Sequence, residues 1–318
     1  MSSQLPDLMV QVMLPVSLLV FAGAIWSKVF RDVNIEVLRA QLNRLVLYLF
    51  YPSILFAAAA STPVTADLLS VPLLVAIGGL IVCGVLYLLL YRSAFGRGLA
   101  DTTRAALMLG GMFGNTFNIG VPVLIFFYGR EAVRYAAFTD MLMMNPLIWT
   151  LGVWIATRLG SNRHAGPQPS VWRILFQLPP IWAFLLGIVL QETGMAYTPL
   201  IDAARLIGQA TIPVMIFVLG LSIPWDRLAL KREILAVAAV KLFGVPILAW
   251  LAAIALFAPL GEAQYAAVVE SSTPTFMSLL ILAHRFHLDI SAAALLIGWS
   301  TVLFWLSLPL LLGLGFIQ

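Results

Sequence analysis

The sequence is short of charge. Asp, Glu, Lys and Arg make up only 10% of its 318 residues, whereas 62% are hydrophobic and the mean hydropathy is +1.00. Soluble domains carry about 25% charged residues, so this chain cannot build a water-facing surface and lipid must be its solvent. Cysteine is reduced to Cys83, which excludes a disulfide within the chain, and no Cys/His cluster has metal-ligand spacing. No His-Glu-x-x-His, paired-Asp motif or Ser/His/Asp set in a supporting context interrupts the apolar runs, so no enzyme is expected. Gly110, Gly111 and Gly114 follow no strand and do not read as a nucleotide loop. Met1 to Asp7 contain no Lys or Arg. A first membrane span from Leu8 is therefore expected rather than a cleaved signal peptide.

What the chain has is apolar runs of spanning length. About 20 apolar residues cross the hydrocarbon as a helix. Breaks of charge, Pro and Gly divide the sequence into ten such runs, near 8–27, 38–60, 68–91, 103–129, 132–157, 171–191, 198–222, 233–258, 262–286 and 290–316. Basic residues then alternate with the loops. Lys28, Arg31, Arg39, Arg44, Arg92, Arg97, Arg104, Arg158, Arg163, Arg173, Arg227, Lys231, Arg232 and Arg285 fall on one side. Arg130, Arg134 and Arg205 fall on the other, and Lys241 stays inside span 8. Cytoplasmic loops collect Lys and Arg, so both termini are expected on the non-cytoplasmic side of a multi-pass protein in the bacterial inner (plasma) membrane. The basic excess lies along a membrane and implies no nucleic-acid partner.

The two halves of the chain share spacing. Leu14-Pro15 followed by Gly23 matches Leu178-Pro179 followed by Gly187. Arg44-Leu45, Pro52 and Phe56 match Arg205-Leu206, Pro213 and Phe217 at a constant offset of 161. Span 1 thus corresponds to span 6 and span 2 to span 7. Five spans per copy is an odd number, so the copies must be inverted. The expected fold is an all-α polytopic membrane protein of ten transmembrane helices, in two inverted five-helix repeats over 1–165 and 166–318. Spans 4 and 9 stand out. Each is interrupted near its middle, by Gly114-Asn115-Thr116-Phe117-Asn118-Ile119-Gly120-Val121-Pro122 and by Glu270-Ser271-Ser272-Thr273-Pro274-Thr275.

These segments carry a resemblance. The Asn-x-Gly-x-Pro element of span 4, Pro179-Pro180 with Gly187, Ala210-Thr211-Ile212-Pro213 with Leu219-Gly220, and Ser272-Thr273-Pro274 resemble the auxin efflux carrier family over essentially the whole chain. The long central loop of the plant carriers is absent, so the chain resembles a bacterial-type member. The resemblance implies crossed broken helices 4 and 9, a fold similar to the sodium–bile acid symporters, and carriage of organic acids such as auxin or dicarboxylates. It also implies an elevator-like or rocking movement and a homodimer formed through helices 2 and 7.

A helix broken in a bilayer exposes backbone groups that cost several kcal/mol if unpaired, which is tolerated where they line a cavity. Half-helix ends then offer partial charges to ions and carboxylates. The expected substrate site is therefore Asn115, Thr116, Asn118, Gly120 and Pro122 on one side, and Ser272, Thr273, Pro274 and Thr275 on the other. A carboxylate at mid-membrane costs about 2.5–3.5 kcal/mol and usually serves an ion or proton. Glu270 is expected to be the coupling residue and Asp140 its assistant, with Na+ near Glu270 and Asn115, or a proton, as the coupling ion and no other cofactor. Lys241 either reaches back to the interface with its long stem or pairs with one of these carboxylates. Both breaks and both carboxylates fall in spans 3–5 and 8–10, so these form the expected transport unit, and spans 1, 2, 6 and 7 the scaffold. The expected function is secondary active transport of a small organic anion by alternating access. A channel or a receptor-like sensor on the same fold is the alternative.

Overall fold

The computed structural model describes residues 4–30, 32–160, 176–223, 225 and 228–317. Arg31, Arg163, Arg173 and Arg227, the start expected for span 6 and the repeat boundary at 165/166 lie outside the described residues. Among the described residues all regular structure is helical. Six helices are long and apolar enough to cross a membrane: α1 (Leu5–Val29), α2 (Ile35–Ala60), α3 (Ala66–Arg92), α7 (Thr198–Ser222), α8 (Arg232–Phe257) and α10 (Ile290–Gly313). Shorter pieces lie between them. The fourth expected span is α4a (Asp101–Met112) followed by α4b (Thr116–Tyr128). Helix α5 covers 133–158, and α6 is Pro179–Glu192. The ninth expected span is α9a (Glu262–Ser271) and α9b (Leu279–Arg285).

The helix starts follow from side chains able to accept from free backbone N–H groups. Asn34 accepts from Glu36 and Val37 at the head of α2, Thr65 from Leu68 at the head of α3, and Asp289 from Ala292 at the head of α10. Gly129 closes α4b at a φ of 79°, a conformation that glycine adopts without strain. Several helices contain widened, π-type turns. Those at 46–50, 116–120, 140–144 and 240–244 lie at or beside Tyr51, Asn118, Asp140 and Lys241. Such turns rotate side chains out of the regular helical row and recur at functional sites.

Without a hydrophobic drive between helices in lipid, close packing relies on small residues. Two contacts show this. A Cβ on Gly23 of α1 would stand 2.2 Å from the Phe217 carbonyl oxygen of α7. A Cβ on Gly187 of α6 would stand 2.8 Å from the Phe56 carbonyl oxygen of α2. Gly23 and Gly187 are the equivalent glycines of the spacing match, and Phe56 and Phe217 its equivalent phenylalanines. Helices α1, α2, α6 and α7 thus pack mainly on one another. Helix α3 packs on α8 and α9a, and α10 on α4a and α8. Gly78 sets the α3–α8 approach, since its Cβ would lie 2.7 Å from the Val245 carbonyl oxygen.

The α1–α7 contact is tightest at Gly220, where a Cβ would meet the Val20 carbonyl oxygen at 2.0 Å. That atom is backbone, so the helices must separate to admit a methyl group. Gly220→Ala should destabilise the protein by about 1–3 kcal/mol. Gly84→Ala in α3, with nothing within 4 Å of the added Cβ, should be neutral or better. Melting of the two detergent-solubilised variants, followed by size exclusion, checks this; equal melting temperatures would refute it.

Candidate functional site

Breaking a helix in hydrocarbon leaves carbonyl and N–H groups that must find partners. The two breaks solve this largely by meeting. Gly114 and Thr275 pair as an isolated antiparallel bridge. The Asn115 N–H donates to the Pro274 carbonyl at 2.7 Å, and the Phe276 N–H to the Phe113 carbonyl at 3.4 Å. Side chains supply the rest. The Thr275 hydroxyl donates to the Gly110 carbonyl of α4a at 2.9 Å, and Ser300 Oγ of α10 accepts from the Thr275 N–H at 3.0 Å. At the end of α9a, Ser272 Oγ donates to Val269, Thr273 Oγ1 to Glu270 and Lys241 Nζ to Ser271. Lys241 is 1% exposed. Its stem does not carry the charge to the interface. The ammonium instead caps the negative end of a half-helix, where the helix dipole favours a cation.

On the α4b side a cavity of about 380 Å³ reaches the crossing. It lies toward the basic-rich face, because Trp149 on its wall packs under the Arg285 guanidinium, 5.8 Å from the ring centre. Asn115, Thr116, Asn118 and Asp140 all line it. Asp140 is held by two neutral donors, the Tyr51 hydroxyl from α2 and the Thr116 hydroxyl at 2.8 Å. Asn118 Nδ2 donates to Asn115 Oδ1 at 3.0 Å, which fixes the Asn115 amide. Asn115 and Thr211 both belong to the cavity lining, and among the described residues the amide nitrogen of the one and the hydroxyl of the other are buried with no protein partner. Among the described residues no Lys or Arg lines this cavity. The rest of the wall is apolar and aromatic, with Phe117, Phe276, Trp149 and Met215.

The expected site residues therefore divide. Asn115, Thr116, Asn118 and Asp140 come together in the cavity, joined by Tyr51. Ser272, Thr273, Pro274 and Thr275 build the crossing behind it and spend their polar groups on backbone. Pro274 sits in the extended stretch before α9b rather than at a helix start, whereas Pro122 lies in the first turn of 121–128. Gly120 is the point of contact with Glu270: a Cβ there would stand 3.2 Å from Oε1. Glu270 is fully buried, and among the described residues neither carboxylate oxygen accepts a hydrogen bond. Tyr51, Thr211 and Ser300 were not foreseen as site residues. Each is a polar side chain in an apolar run, and Tyr51 stands beside the repeat-matched Pro52.

A polytopic helical protein with two interrupted helices crossing beside a polar cavity has the makings of a membrane transport protein. The comparison with known families agrees. The membrane transport protein family model matches residues 8–312, and the chain belongs to this family, the auxin efflux carriers that its motifs resemble. An uncharacterized transporter of Methanocaldococcus jannaschii is 29% identical over 292 residues, which cover 89% of this chain and 91% of the relative. An uncharacterized transporter of Methanothermobacter thermautotrophicus is 27% identical over 277 residues, covering 85% and 86%.

If the Asn118–Asn115 bond orients the free amide, Asn118→Ala should lower transport about tenfold, the value of one lost bond and one unsatisfied oxygen. Its membrane insertion and melting temperature should stay close to the parent's. Gly114→Ala should abolish transport, because its Cβ would fall 2.4 Å from Thr273 Oγ1 and 3.1 Å from Lys241 Nζ. Uptake and surface abundance measured on the same vesicles test both; parental uptake by Asn118→Ala removes the site assignment.

Proposed function

We propose that the protein is a secondary active carrier of a small organic anion, working by alternating access. The observation that supports this reading is the cavity at the crossing, whose lining residues Asn115 and Thr211 each keep, among the described residues, a buried donor with no protein partner that a carboxylate would satisfy. They are neutral donors, weaker than a bidentate arginine, so affinity is modest. The apolar and aromatic remainder of the wall suits the body of an auxin-like acid or another mono- or dicarboxylate.

The ten-helix, inverted-repeat organisation is part of this proposal. Its support is the pair of equivalent contacts, Gly23 on Phe217 and Gly187 on Phe56, which two copies of opposite orientation would generate. Helices α1, α2, α6 and α7 serve as the scaffold, and α3–α5 with α8–α10 as the moving unit in an elevator-like step. Tyr51 and Asp140 then join the two across the cavity. A homodimer through α2 and α7 is in keeping with their exposed apolar side chains, among them Tyr48, Leu200 and Leu206. The carrier sits in a prokaryotic plasma membrane with both termini on the non-cytoplasmic side, and the first cavity faces the cytoplasm.

An anion entering this cavity meets Asp140. Two like charges in a low dielectric repel strongly, so binding of the anion favours a proton on Asp140. We therefore assign the proton-carrying step to Asp140, which faces the cavity. Glu270, expected from the sequence to lead, lies behind the crossing. Its unpaired oxygens would fit Na+ or a proton, but the Lys241 ammonium already supplies a cation to the same crossing. Glu270 and Lys241 then balance each other's charge and hold the break.

Uptake of carboxylates into proteoliposomes under separately imposed Na+ and proton gradients tests the reading. Transport should be saturable, show counterflow and follow the proton gradient without sodium. Flux that never saturates would support a channel instead. Asp140→Asn should lose concentrative uptake and keep counterflow. Glu270→Gln should fail to fold or insert well, since it leaves a buried uncompensated ammonium costing about 3–5 kcal/mol, and Glu270→Gln with Lys241→Met should recover folding. If Asp140→Asn concentrates substrate like the parent, the coupling role returns to Glu270.

A further inference from the structure

A second cavity, of about 510 Å³, lies on the opposite face, and Arg130, Arg134 and Arg205 all line it. These are the three basic residues that the span pattern leaves on that face, against fourteen on the other. A face otherwise poor in positive charge gathers it around one hollow. Arg130 lies in the short turn just before α5 and Arg134 one turn on, at its start, and Arg205 reaches the hollow from α7. Among the described residues Glu131 is the one acid on the lining.

The three guanidiniums are not equally committed. Arg134 Nη2 contacts Glu262 Oε1 at 3.1 Å and the Tyr135 hydroxyl at 3.0 Å. Arg205 stands 3.8 Å from Glu131 and 3.7 Å from Asp202, beyond hydrogen-bond reach. Among the described residues Arg130 makes no ion pair or hydrogen bond. The Arg134 and Arg205 side chains are 32% and 41% exposed, so their charges are partly desolvated and act more strongly than fully hydrated ones.

The second cavity is also in line with the first. Three helices contribute neighbouring positions to both: Tyr51 and Ile54 of α2, Asn118 and Pro122 of α4b, Thr211 and Ile212 of α7. On α2 and α4b these positions are about one helical turn apart, roughly 5 Å along the helix, and on α7 they are adjacent.

We propose that this cavity is an anion-binding vestibule in which Arg130 and Arg205, with Arg134 behind them, take the carboxylate of a small organic acid. The proposal rests on the carrier reading for its consequence: the acid docked here is about one turn from the Asn115 and Thr211 site when the two cavities join. A guanidinium offers planar, paired donors that match a carboxylate, which the first cavity lacks. The vestibule is thus the stronger anion site, and the two faces of the carrier should differ in affinity.

Arginine labelling tests binding without transport. Purified protein in detergent is treated with phenylglyoxal and the labelled arginines are counted by mass spectrometry. Saturating benzoate or succinate should protect Arg130 and Arg205 several-fold and leave Arg285 unchanged, and neutral benzamide should protect neither. Absence of protection by either acid overturns the proposal. Protection by phosphatidylglycerol but by neither acid assigns a lipid headgroup and also overturns it. Sided uptake by oriented proteoliposomes then separates the two readings. With R130Q/R205Q, KM from the vestibule face should rise about tenfold, one lost charge-assisted bond, and KM from the other face should hold. Unchanged KM on both faces sinks the vestibule and leaves the carrier standing. Protection without carboxylate uptake from either face sinks the carrier reading and leaves the vestibule.

Discussion

The structure depends on one constraint: no backbone polar group can be left unpaired in hydrocarbon. An unbroken helix meets it automatically. Two breaks in one bilayer do not, and the polar side chains at the crossing are largely spent on the repair. Asn115 and Phe276 N–H groups find carbonyls on the opposite break, and Ser272, Thr273, Thr275 and Lys241 side chains bond the carbonyls that α4a and α9a leave open. The crossing holds because each break completes the other.

The same constraint separates structural from functional polarity. A side chain that repairs backbone has its hydrogen bonds committed and little left for a ligand. By that measure Ser272, Thr273 and Thr275 are framework. Asn115 and Thr211, both in the lining of the first cavity, keep groups with no partner among the described residues. Asp140 is intermediate: it is held by Tyr51 and Thr116, from two different helices, and still lines the cavity. Around this core, glycines bring α1 to α7 and α6 to α2 at backbone contact.

Charge is placed with similar economy. Lys241 and Glu270 are both buried at the crossing, so neither stands alone in a low dielectric. The arginines of the basic-poor face stand around a hollow rather than scattered among lipid headgroups. Among the described residues the first cavity is lined by one acid and no base, and the second by three bases and one acid. The two cavities therefore differ in their electrostatics.

Much of this was legible in the chain itself. Apolar runs of spanning length, few charges and the one-sided Lys/Arg distribution fix a polytopic helical protein, because insertion responds to local composition. The breaks at Asn115–Pro122 and Glu270–Thr275 were legible too, since Pro, Gly and clustered polar residues cannot continue a helix quietly in lipid. What no local rule contains is which polar groups those breaks consume. That Thr275 bonds Gly110 and Ser300, that Lys241 caps α9a rather than reaching water, and that Tyr51 rather than Thr273 faces the cavity are matters of contact between residues as much as 165 positions apart. Composition and the placing of Pro, Gly and polar residues are enough to define the class of protein and where its helices fail. Which side chains mend those failures, and which keep a free group, follows from the folded arrangement, because a hydrogen bond is satisfied by proximity in space and not by neighbourhood in the chain.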